Sequence, residues 1–285
     1  MSIEKLQEKI RKMKNPSVVD LSLTYSQIPQ RIMDREQNLA KACKQYALEL
    51  MNTLKGIVPA VRFSYGHFAL MGSDGMIVLQ ELLQEAKKCG YYILLDSVEA
   101  SSLPMAEYAA QVLSDACCDS LIVSGYAGSD MADPYIKRLN KSKSLFVTVR
   151  NANRSASQLQ DLMTGSRLVH IAVADIVNRM GTAMIGRSGY SQIGGVASAT
   201  TADSLRTLRT KYPNMFLLVD GYDYSNANAK NCSFAFDKLG HGALVSAGET
   251  ITAAWKESAD DDYLAAATAA AERMRKNLTR YVTIL

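Results

Sequence analysis

The sequence predicts an α/β protein built as a single (β/α)8 barrel, and three observations carry that reading. Eight short apolar runs alternate with longer stretches whose apolar residues recur about every 3.6 positions. The short runs are apolar without alternation, as strands of a parallel sheet covered on both faces must be. The 285 residues suit one barrel of about 250 residues with additions at its ends. A doubly wound open sheet is the alternative. It usually carries a Gly-x-Gly-x-x-Gly loop after an early strand, and that pattern does not occur here.

Residues 1–14 are charged and amphipathic, and predict a helix that closes the barrel bottom or packs on a neighbour. The expected strands are Val18–Leu21, Val58–Phe63, Tyr91–Leu95, Ser120–Val123, Ser144–Val149, Gln192–Val196, Phe216–Val219 and Ala243–Val245. Helical spacing is clearest over Met76–Ala86 and Ser204–Thr210. The glycine-bearing stretch Gly181–Gly189 lacks the strand-to-helix context of a phosphate cradle and reads as a mobile loop before strand six. Residues about 260–278, with Ala265 to Ala271 almost all alanine, predict a helix packed closely on another surface. No linker, repeat or low-complexity tract divides the chain, so residues 1–285 are expected to form one domain.

Hydrophobic residues make up 48% and charged residues 21% of the chain, ordinary for a globular protein with a sizeable core. No apolar run reaches the roughly 18 residues of a membrane span, and the first residues lack a signal peptide's apolar core. The expectation is a cytoplasmic protein. A net charge of +4, from 32 basic against 28 acidic residues scattered along the chain, gives no basic patch for nucleic acid. The five cysteines have no metal-ligand spacing; Cys117 and Cys118 are expected to be buried side by side at the start of a strand. No cofactor and no metal are expected.

The order of landmarks resembles the orotidine 5′-monophosphate decarboxylase family, in its longer bacterial branch, over nearly the whole chain. Val18-Val-Asp-Leu-Ser-Leu23 looks like the family's first-strand Gly-Leu-Asp-Pro. Phe68-Ala-Leu-Met-Gly-Ser-Asp-Gly-Met76 is similar to its Phe-Glu-x-x-Gly-x-x-Gly. Cys118 to Asp130 matches the run after the fourth strand, and Gly194-Gly-Val-Ala-Ser-Ala-Thr200 resembles Val-Val-Gly-Ala-Thr. Val219-Asp-Gly-Tyr-Asp223 sits where the family has its phosphate loop. The resemblance implies a dimeric (β/α)8 barrel.

It also implies a chemistry that these residues do not supply. The family's decarboxylation rests on a Lys-Asp-Lys-Asp array, its last Asp coming from the partner subunit. One carboxylate crowds the leaving group while a lysine protonates the nascent carbanion. Mapped onto this chain, the array reads Arg62, Asp96, Val98 and Ser101. Valine has no proton to give, and a guanidinium holds its proton too tightly to replace the lysine. Anchoring the last strand's Ser-Arg-x-Ile on Ile251 places Glu249 where an arginine grips phosphate. At an effective dielectric of about 20, a like-charge pair 4 Å apart costs roughly 4 kcal/mol.

The remaining ligand contacts implied by the resemblance fall on Ser22, on Asn151 and Asn153 for the base, and on Ser225 with Asp223 beside it. The partner's ribose contact falls near Met105. Arg62, Asp96 and Glu249 either close an ion-pair network in a vacated pocket or face a ligand. His67 and Arg187 are lesser pocket candidates; His170, His241, Tyr126 and Asp130 read as scaffold.

Three functions remain open: a non-catalytic or regulatory paralogue, a binder or enzyme for another small molecule, non-phosphorylated or cationic, and an active decarboxylase. A collapsed pocket filled by Val98 and Met105 favours the first, and an open one presenting Asp96, Asp223 and Glu249 the second. The expected assembly is a homodimer, or a heterodimer with a catalytic paralogue, through residues about 98–108.

Overall fold

The computed structural model describes residues 2–97, 99–139, 142–225, 227–258 and 262–285. Eight parallel strands close into a barrel: β1 (Ser17–Asp20), β2 (Ala60–Ser64), β3 (Tyr92–Asp96), β4 (Ser120–Ser124), β5 (Ser144–Thr148), β6 (Ile193–Ser198), β7 (Leu217–Asp220) and β8 (Ala243–Ala247). All eight expected strands form, with ends within two residues of the sequence reading. Parallel neighbours need long crossovers. Most are helical, with α1 (Ser2–Met13) ahead of β1, then α2 (Leu39–Leu54), α3 (Gly72–Cys89), α4 (Leu103–Ser114), α5 (Ser129–Ile136), α6 (Val169–Gly181), α7 (Ala202–Lys211) and α8 (Tyr263–Thr279).

The barrel interior is packed. Phe146 and Phe216 meet edge-on inside it, both fully buried. Gly194 in β6 makes room for them: a Cβ there would lie 2.5 Å from the Phe216 carbonyl oxygen and 2.8 Å from the Phe146 ring. Alanine at that position would force backbone apart, which explains a glycine inside a strand.

Helix α1 closes the barrel's N-terminal end. Its Ile3, Leu6 and Ile10 lie on one stripe and are buried, each contributing roughly 1.5–3 kcal/mol against exposure. The Ser2 hydroxyl meets the Tyr92 hydroxyl at 2.9 Å, and Tyr92 also bonds Ser120 and Ser144. Gln7 accepts from the Gly242 amide at 3.0 Å. Helix α8 turns Ala267, Ala270, Ala271, Met274 and Leu278 inward and packs on α2, where Tyr46 and Tyr263 meet edge-on. Small side chains let the two helices approach closely, as expected.

Two expectations need correction. The Gly181–Gly189 segment is tied down: Ile185 bridges Ser191, and the Arg187 amide donates to Glu4 of α1 at 2.5 Å. That contact puts Arg187 at the closed end of the barrel, away from the strands' C-terminal ends. The connection before α6 also holds a short hairpin, Met163–Thr164 with Arg167–Leu168, which no apolar periodicity announces. Cys118 is buried but Cys117 only half so; all five cysteines are free thiols. Burial pushes the Cys43 and Cys232 thiols up to about 12 and Cys118 to about 11. No helix among the described residues is long and apolar enough to cross a membrane.

Candidate functional site

Three of the eight strands end in aspartate at the barrel's C-terminal mouth: Asp20 on β1, Asp96 on β3 and Asp220 on β7. Arg62 of β2 stands in register with Asp20 and reaches all three. Its guanidinium donates to Asp96 at 2.6 Å and Asp220 at 2.8 Å, while Asp20 lies 3.7 Å from Nε. The arginine side chain is 13% exposed. Burial alone would favour the neutral guanidine, but Asp220, Asp20 and Asp96 outweigh it and push the Arg62 pKa up. For Asp96 the balance is reversed: burial dominates and raises the carboxyl above its usual range despite Arg62.

Above this floor opens a cleft of about 760 Å³, within the range of small-molecule sites. Among the described residues its charged lining is Asp20, Asp220, Asp223, Glu249 and Glu257 against Arg62, Lys256 and Arg273, so five acids face three bases. The loop after β7 begins at Gly221, whose positive φ of 84° and close approach to Ala152 favour glycine. Asp223 and Ser225 hold left-handed backbone, with φ of 57° and 50°. Burial raises the Asp223 carboxyl, and Arg273 of α8 offsets part of that. Glu249 extends into solvent, 69% exposed, with Lys256 at 3.5 Å.

Of the residues picked from sequence, Arg62, Asp223 and Glu249 line this cleft, and Asp96 touches it through Arg62. The expected trio is corrected in one member. Glu249 pairs with Lys256, and Asp20 and Asp220 take its place around Arg62. Ser22 lies beside the floor, its amide on Asp20 and its hydroxyl buried without a partner. Asn151 and Asn153 are exposed and Ser225 sits beyond the lining. Val98 lies outside the described residues; Ser101 is exposed ahead of α4.

His67 bonds the Leu23 carbonyl instead of facing the cleft. His170 and Arg150 form a buried cluster on Asp161 that fixes the loop after β5. His241 sits in the turn before β8, and Tyr126 bonds the Val149 carbonyl. Among the described residues, no group of three or more potential ligands is placed to hold a metal.

Sequence reasoning missed Asp20, Asp220, Lys256 and Arg273 as site residues. The first two had a readable signal, since Val-Val-Asp20 and Leu-Val-Asp220 end their strands as Leu-Leu-Asp96 does. Arg273 gave none, because helix α8 brings it to the mouth only through tertiary packing.

No family model matches the chain. Curated relatives do. A protein of Clostridium novyi named orotidine 5′-phosphate decarboxylase is 29% identical over 260 residues, covering 90% of each chain. One of Rhodopirellula baltica with the same name is 28% identical, covering 84% of this chain and 83% of its own. The fold matches the crystal structure of Plasmodium berghei orotidine 5′-monophosphate decarboxylase with a TM-score of 0.82 at 14% identity, over 99% of both chains. Leishmania donovani OMP decarboxylase superposes with a TM-score of 0.73 at 23% identity, over 98% of this chain and 99% of that one.

Proposed function

We propose that this relative of the orotidine 5′-phosphate decarboxylases binds a small molecule at the barrel mouth without decarboxylating orotidine 5′-monophosphate. The observation that carries the reading is Arg62 locked among Asp20, Asp96 and Asp220. Decarboxylation leaves a carbanion that must be protonated, and the one cation of this floor is a guanidinium whose proton is held more tightly still. Among the described residues Lys256 is the sole amine of the cleft lining, and it stands at the rim on Glu249. Val98 at the family's lysine position has no proton to supply. The open cleft favours a ligand over a collapsed, purely structural subunit. Its excess of carboxylates suits a cationic or hydroxyl-rich, non-phosphorylated molecule.

In this reading Arg62 and Asp96 are a residual array that holds the ligand's buried end. Asp223 and Glu249 accept from its outer end, with Ser22, Ser225, Asn151 and Asn153 as loop contacts. A regulatory role beside a catalytic paralogue is the second reading, and an exposed apolar face on α4 favours it. Met105 there is 45% and Tyr108 66% exposed, as a dimer contact in the free chain would be. The test is turnover of orotidine 5′-monophosphate by protein made in a host deleted for its own decarboxylase. The expected result is no rate above background, and none after Val98→Lys alone, because Ser101 and Glu249 remain. A rate well above background that disappears in Asp96→Asn overturns the proposal.

A further inference from the structure

We propose, on the reading that the barrel mouth binds a small molecule, that its ligand is a zwitterion of the amino-acid class. Its carboxylate meets Arg273 and its ammonium meets Asp223. Most charges of the cleft neutralise one another. Arg62 holds Asp20, Asp96 and Asp220 on the floor, and Lys256 holds Glu249 at the rim. Three groups of the lining close no ion pair among the described residues: Arg273 on α8, Asp223 in the loop after β7 and Glu257 at the end of the turn Ala254–Glu257. One cation and two carboxylates therefore line the cleft without a counter-charge in contact.

The sequence of α8 explains why Arg273 is left over. Its neighbours three and four positions away on the helix are Ala269, Ala270, Lys276 and Asn277, and none is an acid. Arg275, two positions on, does find an acid, Glu272 at 2.6 Å. Lys276 carries the same charge as Arg273 and disfavours folding the guanidinium back along the helix. Both Arg273 and Asp223 are exposed. Burial raises the Asp223 carboxyl, and Arg273 pulls it down without forming an ion pair with it. The two charges thus share one stretch of the cleft wall and stand too far apart to pair.

An α-amino acid carries ammonium and carboxylate on one carbon, so its head group can bridge such a pair. The planar fork of a guanidinium takes a carboxylate bidentately. Phosphate is the other anion that such a fork receives, but a dianion would meet five acids against three bases in the described lining. A carboxylate brings a single charge, and the ammonium beside it offsets that charge. Glu257 remains for a second amine, so a diamino acid answers all three groups. The cleft of about 760 Å³ has room for one with a long side chain.

The experiment is calorimetric titration of the full-length protein with L-lysine and with 1,5-diaminopentane, which keeps both amines and lacks the carboxylate. The expected result is saturable binding of L-lysine at one site, about tenfold or more tighter than the diamine. Arg273→Gln should weaken L-lysine about tenfold and leave the diamine unchanged or tighter, because it removes a cation from the wall. Arg273→Lys should restore part of the loss, and Glu257→Gln should weaken both probes. Equal affinity for the two probes, or L-lysine binding indifferent to Arg273→Gln, overturns the zwitterion and leaves a cation-binding mouth in place. Parallel loss of both probes in Arg273→Gln overturns the role of Arg273, since a merely structural residue would act that way. Absence of saturable binding by either probe also overturns the proposal; turnover of orotidine 5′-monophosphate by the same preparation then decides whether the wider reading falls with it.

Discussion

Replacing Arg62 with methionine should destabilise the protein strongly at neutral pH and much less in acid. The substitution keeps the apolar length of the side chain but strands three carboxylates, two of which lie 2.6 and 2.8 Å from the guanidinium. Removing one partner of a buried ion pair costs about 3–5 kcal/mol. Side-chain exposures of 25% for Asp20 and Asp220 and 33% for Asp96 argue for the lower end, about 3 kcal/mol. At roughly 2–4 °C per kcal/mol, the melting temperature should fall by about 6–12 °C.

The pH dependence follows from Asp96, whose carboxyl already stands above its usual range because burial outweighs Arg62. A group raised on folding contributes stability that is present below its unfolded pKa and is lost as pH rises through the folded one. Deleting Arg62 removes the attraction that held Asp96 down, so its folded pKa climbs further and the neutral-pH penalty grows. Below the carboxylate range both proteins hold Asp96 protonated, and the gap between them narrows. Urea unfolding followed by circular dichroism at about pH 7.5 and about pH 4.5 measures both quantities. A loss under about 1 kcal/mol, or an equal loss at the two pH values, would refute the assignment of Arg62 as the charge that holds the floor together.

Two further outcomes are expected. Glu249→Arg should strengthen uridine monophosphate binding several-fold by calorimetry, a modest gain because the position is 69% exposed and screened; micromolar binding by the unmodified protein, about 8 kcal/mol, would contradict the mapping of β8. Light scattering at micromolar concentration should give a dimer that Met105→Asp converts to monomer, and a monomer without any co-purifying paralogue would refute an interface on α4.

The barrel was legible because each β-strand is a local apolar run and each major helix a local period, signals that need no knowledge of distant contacts. From local pattern alone, the site was legible where a strand ended in a charge. Asp96 stands at such an end, whereas Arg62 lies mid-strand in β2 and was singled out by the family resemblance; Asp20 and Asp220 were as visible as Asp96 but appeared as parts of aligned motifs. Glu249 lies at the mouth, and its partner Lys256 lies in a short 3-10 turn that sequence spacing does not orient. Asn151 and Asn153 show a loop whose orientation local spacing does not carry. Their loop is set by Arg150 bonding Asp161 and Gln160, contacts ten or eleven residues apart that turn both asparagines outward.

The charged floor itself bears on why the mouth is open. Buried ion networks are weak contributors to stability, and apolar residues of similar volume often serve as well or better. The rest of the barrel interior holds no comparable ion network among the described residues: above the neutral hydroxyl cluster of Tyr92, Ser120 and Ser144, it is filled by Phe146, Phe216 and aliphatic side chains. A chain kept only as a folding or dimerising body would gain from extending that packing to Asp20, Arg62, Asp96 and Asp220. Instead the four groups meet beneath a cleft of about 760 Å³, with Arg62 Nε buried and without a hydrogen-bond acceptor. Polar groups left incompletely satisfied at the base of a cleft are where a ligand recovers the cost of their burial. The incompletely satisfied floor thus supports the reading of a small molecule bound at this mouth.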